Sequence, residues 1–181
     1  SGFGQTGPWA HRAGHDLNYA GLAGVPNLGA GVTVPPIQVA DASGGMVAAM
    51  RICAALFART ALQEFQVLDV SLTEAALGVV SPHLSTLTQE GRDASPHGEL
   101  LTGLLPVYSV YQCRDDKQLA VGALEPKFQQ RLVAEFGGVD HETLRAGFLK
   151  NDRDYWVEQL SEACVGPCLG ATEIASHPQH V

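Results

Sequence analysis

The sequence predicts a mixed α/β protein built in two parts, and three observations carry that reading. A long apolar segment, residues 42–62, has the length of a helix, and Gln66-Val-Leu-Asp-Val-Ser71 soon after it reads as a strand. Two further strand-like runs, 107–113 and 117–122, flank Arg114-Asp115-Asp116 in the pattern of a β-hairpin. Between them, 88–106 is rich in Gly, Pro, Ser and polar residues, the texture of a long crossing linker. The expected division is therefore 1–72 as the C-terminal part of a large α/β domain, 73–106 as helix and linker, and 107–181 as a small α+β domain.

Each element has a local cause. Residues 1–13 form a Gly-, Pro- and Trp-containing loop. From His15 to about Gly24, Leu17, Ala20, Gly21 and Leu22 recur at helical spacing. A Gly- and Pro-rich loop over 27–36 ends in Pro35-Pro36, which favours an extended approach to Asp41. Asp41 is expected to cap the helix that follows it. Residues 73–87 read as another helix, interrupted near Pro82. Pro126 takes a favourable first-turn position. Its helix runs through Phe128, Leu132, Val133 and Phe136 and stops at Gly137-Gly138. Two short helices are expected at 140–149 and 152–163.

Composition excludes some classes. At 181 residues the chain fits one domain or slightly more, and 45% hydrophobic with 17% charged residues is ordinary for a globular core. A net charge of −8, with 11 scattered basic residues, argues against a nucleic-acid surface. Segment 42–62 would span about 30 Å as a helix, but a central Arg51 costs about 2.5–3.5 kcal/mol in a bilayer. A buried helix in a soluble core is expected, not a membrane span. Of the four cysteines only Cys164 and Cys168 are closely spaced, with no second pair at ligand spacing, so free intracellular thiols and no metal are expected. The start lacks a basic n-region and an apolar h-region, and it lacks Met; with the abrupt tail, this reads as a fragment of a larger cytoplasmic protein.

The chemistry sits in three short segments: Gly14-His15-Asp16-Leu17-Asn18-Tyr19, Ala40-Asp41-Ala42-Ser43-Gly44-Gly45 and Gly122-Ala123-Leu124-Glu125-Pro126. One imidazole and two carboxylates, each beside Gly or Ala, suit removal of a proton from one face of a carbon and its return to the other. Read singly, each has a plainer explanation. Asp41 is a helix cap, Glu125 a solvated first-turn acid, and His15 a hydrogen-bonded histidine. Tyr108, Tyr111, Trp9 and Trp156 read as packing residues, and His83, His97, His141, His177 and His180 as surface groups.

Taken with their flanks, these segments resemble the family III CoA-transferases (CaiB/BaiF type), nearest to the α-methylacyl-CoA racemases. The matching strings are Ser1-Gly-Phe-Gly-Gln-Thr-Gly-Pro8, Ala13-Gly-His-Asp-Leu-Asn-Tyr19, Gln38-Val-Ala-Asp-Ala-Ser-Gly-Gly45, Val67-Leu-Asp-Val-Ser71, Val121-Gly-Ala-Leu-Glu-Pro-Lys-Phe128 and the tail from Cys164. The resemblance implies the trailing piece of a Rossmann-like large domain plus a small α+β domain, in an interlocked homodimer. It implies that His15 is one base, Asp41 the base on the opposite face, and Glu125 the acid paired with His15. It implies that Gly14, Asp16, Tyr19 and Tyr108 line the thioester end. The substrate would be a coenzyme A thioester, with no permanently bound cofactor. Two departures stand out: the family has a further nucleotide-binding segment before the point where this chain starts, and Pro36-Ile37-Gln38 replaces a loop that often holds Asn.

Removing a thioester α-proton leaves an enolate whose oxygen needs preorganised donors, and the Asp16 N–H at a helix start is the candidate. A neutral imidazole, of ordinary pKa about 6.5, and a carboxylate made more basic by burial would serve as the two bases. Glu125 would fix the His15 tautomer. Asp41 also suits a second chemistry, attack on an acyl-CoA to form a covalent aspartyl intermediate. A third reading is a dimerising fragment without catalysis.

Overall fold

The structure, a computed structural model, describes residues 1–29, 32–62, 64–93, 95 and 98–180. Ala30 and Gly31 of the 27–36 loop, Gln63, Ala94, Pro96 and His97 of the linker, and Val181 lie outside the described residues. The chain divides into two units, Ser1–His97 and Gly98–Val181.

In the first unit, α1 (Asp16–Leu22) leads through a 3-10 turn (Val25–Leu28) to the long helices α2 (Val39–Leu62) and α3 (Leu72–Glu90). The core is small: Tyr19, Ala20, Ala23, Ala40 and Ala76, with Phe3, Val25 and Leu72 packed against it. Alanines let helices approach closely, and Gly44 extends this on α2, where a β-carbon would lie 2.2 Å from Leu72 Cδ2. Ser71 caps α3 by accepting from Glu74 N–H at 3.2 Å, and Gly91 ends it in the left-handed conformation (φ 64°).

Three expectations for this unit are corrected. Pro82 does not interrupt α3. Proline cannot bond the carbonyl four residues back, but Ser81 Oγ donates to that carbonyl, Gly78 O, at 2.8 Å, so the helix continues. Residues 66–71 are extended but join no sheet; alongside them, Ser1 N donates to Val70 O at 2.8 Å, and Leu72 N to Ser1 O at 3.0 Å. A strand exists only with a partner, and among the described residues only the first two residues of the chain supply one. Helix α2 is not buried: within its apolar span Val39–Arg59, mean hydropathy 1.3, only 17% of an 18-residue stretch is buried, and Phe57 is 86% exposed. By length and composition alone α2 is long and apolar enough to cross a membrane.

The second unit carries the sheet. Strands β1 (Tyr108–Gln112), β2 (Gln118–Gly122) and β3 (Val165–Cys168) lie in that order, antiparallel throughout. The hairpin turn uses Asp116 in the left-handed region (φ 60°), which aspartate tolerates, with Gln112 Nε2 donating to its side chain at 2.9 Å. On β2, Leu119 and Val121 face inward and Gln118 and Ala120 outward, the alternation of a half-buried strand. Helices α4 (Pro126–Phe136), α5 (His141–Phe148) and α6 (Arg153–Gln159) complete the core around Phe148. The Phe148 ring meets Phe136 edge-on at 4.9 Å and Trp156 at 5.8 Å. The expected 152–163 helix stops at Gln159. Strand β3 and helix α7 (Ala171–Ser176) were not among the expected elements; β3 is an edge strand, where Pro167 is tolerated.

Buried Arg153 ties these pieces together. Its guanidinium grips Glu173 of α7 through two bonds, 3.0 and 2.8 Å, and donates to Cys168 O at 3.2 Å. Glu173 also accepts from Lys117 Nζ in the hairpin turn at 3.0 Å and from Gly170 N at 3.0 Å.

Candidate active site

The first unit gathers two of the three expected catalytic residues. His15 is the last extended residue before α1 (φ −128°, ψ 177°). Its N–H donates to Asn18 Oδ1 at 3.0 Å, and its carbonyl accepts from Asn18 N at 2.9 Å, so Asn18 closes the turn in both directions. The His15 ring is exposed. Asn18 was not singled out from the sequence, although a polar side chain three residues into a helix start is the signal for that closure.

Gly14 and Tyr19 shape the approach. The Tyr19 hydroxyl donates to Gly14 O at 2.5 Å, and its ring packs edge-on against Phe3 at 4.9 Å. A β-carbon on Gly14 would sit 2.8 Å from the Tyr19 ring, so glycine is required there. Tyr19 is buried and pins the loop on which His15 stands.

Asp16 joins the two segments. Its Oδ1 accepts from Ala40 N at 2.7 Å and from Asp41 N at 3.0 Å. These are first-turn N–H groups of α2, which lack partners within the helix. The cap of α2 therefore comes from α1, not from Asp41. The helix begins at Val39, so Asp41 stands inside the first turn, where the helix dipole favours a carboxylate. The Asp16 N–H itself donates to no group among the described residues. It opens a helix of seven residues, so the donor is this one group more than a long helix dipole.

Asp41 is exposed, whereas a carboxylate made more basic by burial was expected there. Gly44 is buried against Leu72, a helix contact, whereas Gly45 meets nothing within 4 Å. Asp41 and Gly45 are four apart and share a helix face, so Gly45 is the glycine that leaves room beside the carboxylate. A hollow of about 380 Å³ between α2 and α3 is lined by Ser43, Met46, Val47 and Met50, on the opposite face of α2 from Asp41.

Glu125 and Tyr108 belong to the second unit. Glu125 precedes Pro126 as the cap residue of α4; its side chain is exposed, and its carbonyl accepts from Phe128 N at 3.0 Å. Tyr108, 36% exposed, pairs with Gly122, and Val107 O accepts from Ala123 N at 2.8 Å. Tyr108 and Glu125 thus stand at the same end of the hairpin.

Several side chains of the second unit have structural roles. Burial pushes the Cys113 thiol up to about 11 and also raises Cys168, so neither is a thiolate at neutral pH. Among the described residues no three His, Cys, Asp or Glu side chains converge as metal ligands. His141, read as a surface group, is bonded on both ring nitrogens, to Tyr111 and Leu104. Trp156 is buried and donates to Phe148 O at 2.8 Å.

Known proteins share this arrangement of elements. A CaiB/BaiF family protein from Brucella suis superposes with a TM-score of 0.80 at 19% identity, over 99% of this chain and 54% of that one. In sequence, a CaiB/baiF CoA-transferase family protein of Caenorhabditis elegans is 37% identical, over 100% of this chain and 58% of that protein. The human Alpha-methylacyl-CoA racemase is 31% identical, over 98% and 52%. An Acetyl-CoA:oxalate CoA-transferase of Acetobacter aceti is 26% identical, over 99% and 52%. The chain thus spans about half the length of the curated relatives it matches. The model of CoA-transferase family III matches residues 1–181. With the fold, the half-chain relatives and the full-length match in agreement, this chain belongs to CoA-transferase family III, a family of enzymes.

Proposed function

We propose that this polypeptide supplies catalytic residues of an acyl-CoA racemase or epimerase acting at the α-carbon of a 2-methylacyl-CoA thioester. One observation carries the reading: the Asp16 carboxylate holds the backbone of Asp41 against the residue that follows His15, so an imidazole and a carboxylate share one corner of the first unit. Similarity to the human Alpha-methylacyl-CoA racemase supports it.

In this reading one of the pair takes the α-proton, and the electron pair of the C–H bond moves onto the thioester oxygen. The Asp16 N–H donates to that oxygen. The protonated partner then returns a proton to the opposite face. Gly14 and Tyr19 border the thioester, and the family resemblance adds Glu125, as the acid partner of the histidine, and Tyr108 to the same proposal. Coenzyme A enters as substrate, with no cofactor permanently bound. A homodimer and a cytoplasmic location belong to the same proposal.

The test is proton exchange in deuterated water. A 2-methylacyl-CoA is expected to gain one deuteron at its α-carbon, and Asp41→Asn and His15→Gln are each expected to slow this by about 10²–10⁴-fold. No deuterium entry overturns the racemase reading. A CoA-transferase reading is favoured by the exposed Asp41 carboxylate and by the Acetobacter relative. There Asp41 attacks the acyl carbonyl, the C–S bond breaks, and CoA leaves as thiolate. Hydroxylamine trapping of an acylated Asp41 identifies it. The non-catalytic reading rests on the half-length match, and calorimetric binding of CoA by the chain overturns it.

A further inference from the structure

One cation stands beside the candidate site with no task in the chemistry above. Residues 1–15 contain no Asp or Glu, and Arg12, three residues before His15, is the only Lys or Arg among them. Its side chain is exposed. It forms no ion pair among the described residues. Its guanidinium lies over the Trp9 ring instead, 4.2 Å from the centroid. Trp9 is held in turn: it meets Phe3 edge-on at 5.2 Å, and Phe3 meets the buried Tyr19 edge-on at 4.9 Å. The backbone is fixed as well, since Arg12 N donates to Trp9 O at 2.9 Å. The guanidinium is thus preorganised on an aromatic platform anchored in the core of the first unit, while its side chain stays open to solvent.

The geometry points to Arg12, propped on Trp9, as the residue that binds a phosphate of the coenzyme A thioester. This rests on the CoA thioester proposed above as substrate. Coenzyme A carries its phosphates at the far end of the pantetheine arm, and a planar guanidinium donates to two phosphate oxygens at once. The arm keeps those phosphates away from the thioester, so their cation must stand off the reacting centre. Arg12 does so, at a chain distance of at most about 11 Å from His15. Charge adds to the need. The chain carries −8, so a polyanion approaches it only where a local cation offsets that repulsion.

The other basic residues of the first unit do not fit this role. Arg51 donates to Asp69 O, and Arg92 pairs with Glu90 at 2.5 Å. Arg59 lies 18 residues along α2 from Asp41, about 27 Å of helix. No lysine occurs in residues 1–97. The Arg12 loop also offers further donors. Gly4 and Gly7 both take positive φ (97° and 88°), and the N–H groups of Gln5 and Thr6 between them donate to no group among the described residues. Successive free N–H groups of this kind supplement a guanidinium at a phosphate.

Steady-state exchange in deuterated water tests the site by comparing a 2-methylacyl-CoA with the same acyl group on pantetheine, which has no phosphate. Arg12→Gln is expected to raise KM for the CoA thioester about tenfold, the worth of one hydrogen bond to a charged group, and to leave KM for the pantetheine thioester unmoved. Arg12→Lys keeps the charge without the fork and is expected to recover part of the loss. An unchanged KM for the CoA thioester in Arg12→Gln, or an equal rise for both substrates, overturns the phosphate site and leaves the racemase reading standing. Where no deuterium enters either substrate, calorimetric binding of CoA decides. Binding about tenfold weaker in Arg12→Gln than in the parent chain supports the site without the racemase reading. Equal binding by the two, or none by the parent chain, overturns it.

Discussion

A single oxygen, Asp16 Oδ1, completes the start of a 24-residue helix and positions a candidate base. Asp16→Ala is expected to destabilise the first unit by about 1 kcal/mol, the worth of a helix cap. It should also raise amide exchange at Ala40 and Asp41, whereas Asp16→Asn, which keeps an acceptor, loses less. Equal exchange in both variants would show that the contact contributes nothing. His15, Asp41 and Glu125 were singled out from the sequence only as a set with their flanks, since each alone has a plainer explanation. Asp16 as a cap was not, since it serves a helix more than twenty residues away. The two helix starts also explain the misplaced cap: α2 begins at Val39, before Asp41.

At the scale of elements, packing across helices decides what single helices permit. Gly147 lies in α5, and a β-carbon there would come within 2.3 Å of the Phe136 ring of α4. Alanine is the better helix former by about 1 kcal/mol, yet Gly147→Ala is expected to cost about 1–3 kcal/mol net, because a ring packed in the core must move. Urea unfolding followed by tryptophan fluorescence measures this, and a stabilised variant would contradict the contact. The Arg153 cluster makes a pH prediction. The Arg153 guanidinium, helped by Gly170 N–H and Lys117, holds the Glu173 carboxyl well below the usual range. A carboxyl lowered by folding adds stability above its ordinary value of 4.5, and that stability drains away as pH falls below it. The second unit should therefore lose its urea midpoint from about pH 4.5 downward, and Glu173→Gln, weaker at neutral pH, should show a shallower acid slope. Identical slopes would remove Glu173 from the acid response.

Across the whole molecule the two units differ in how they are held. The second has a continuous aromatic and aliphatic core, and Phe148→Ala is expected to cost it about 3–5 kcal/mol. Denaturant unfolding checks this, and a loss under 1 kcal/mol would mean the site collapses around the missing ring. The first relies on alanines and a few larger side chains, while α2 and residues 65–67 expose Phe57, Phe65 and Val67. That contrast fits a chain spanning about half the length of its relatives.

By itself the sequence determined the family, the β1–β2 hairpin and the positions of α4 and α5, and it singled out the two bases and the orienting acid that the proposal uses. Those depend on spacing, caps and side-chain chemistry among near neighbours. Only the tertiary structure decided that Pro82 is tolerated, that Gly166-Pro167 forms an edge strand, that Asp16 caps α2, and that His141 is tied to Tyr111. Each depends on a partner distant in the chain, whether a carbonyl, a sheet edge or a ring, and local spacing carries no record of which partner folding will bring.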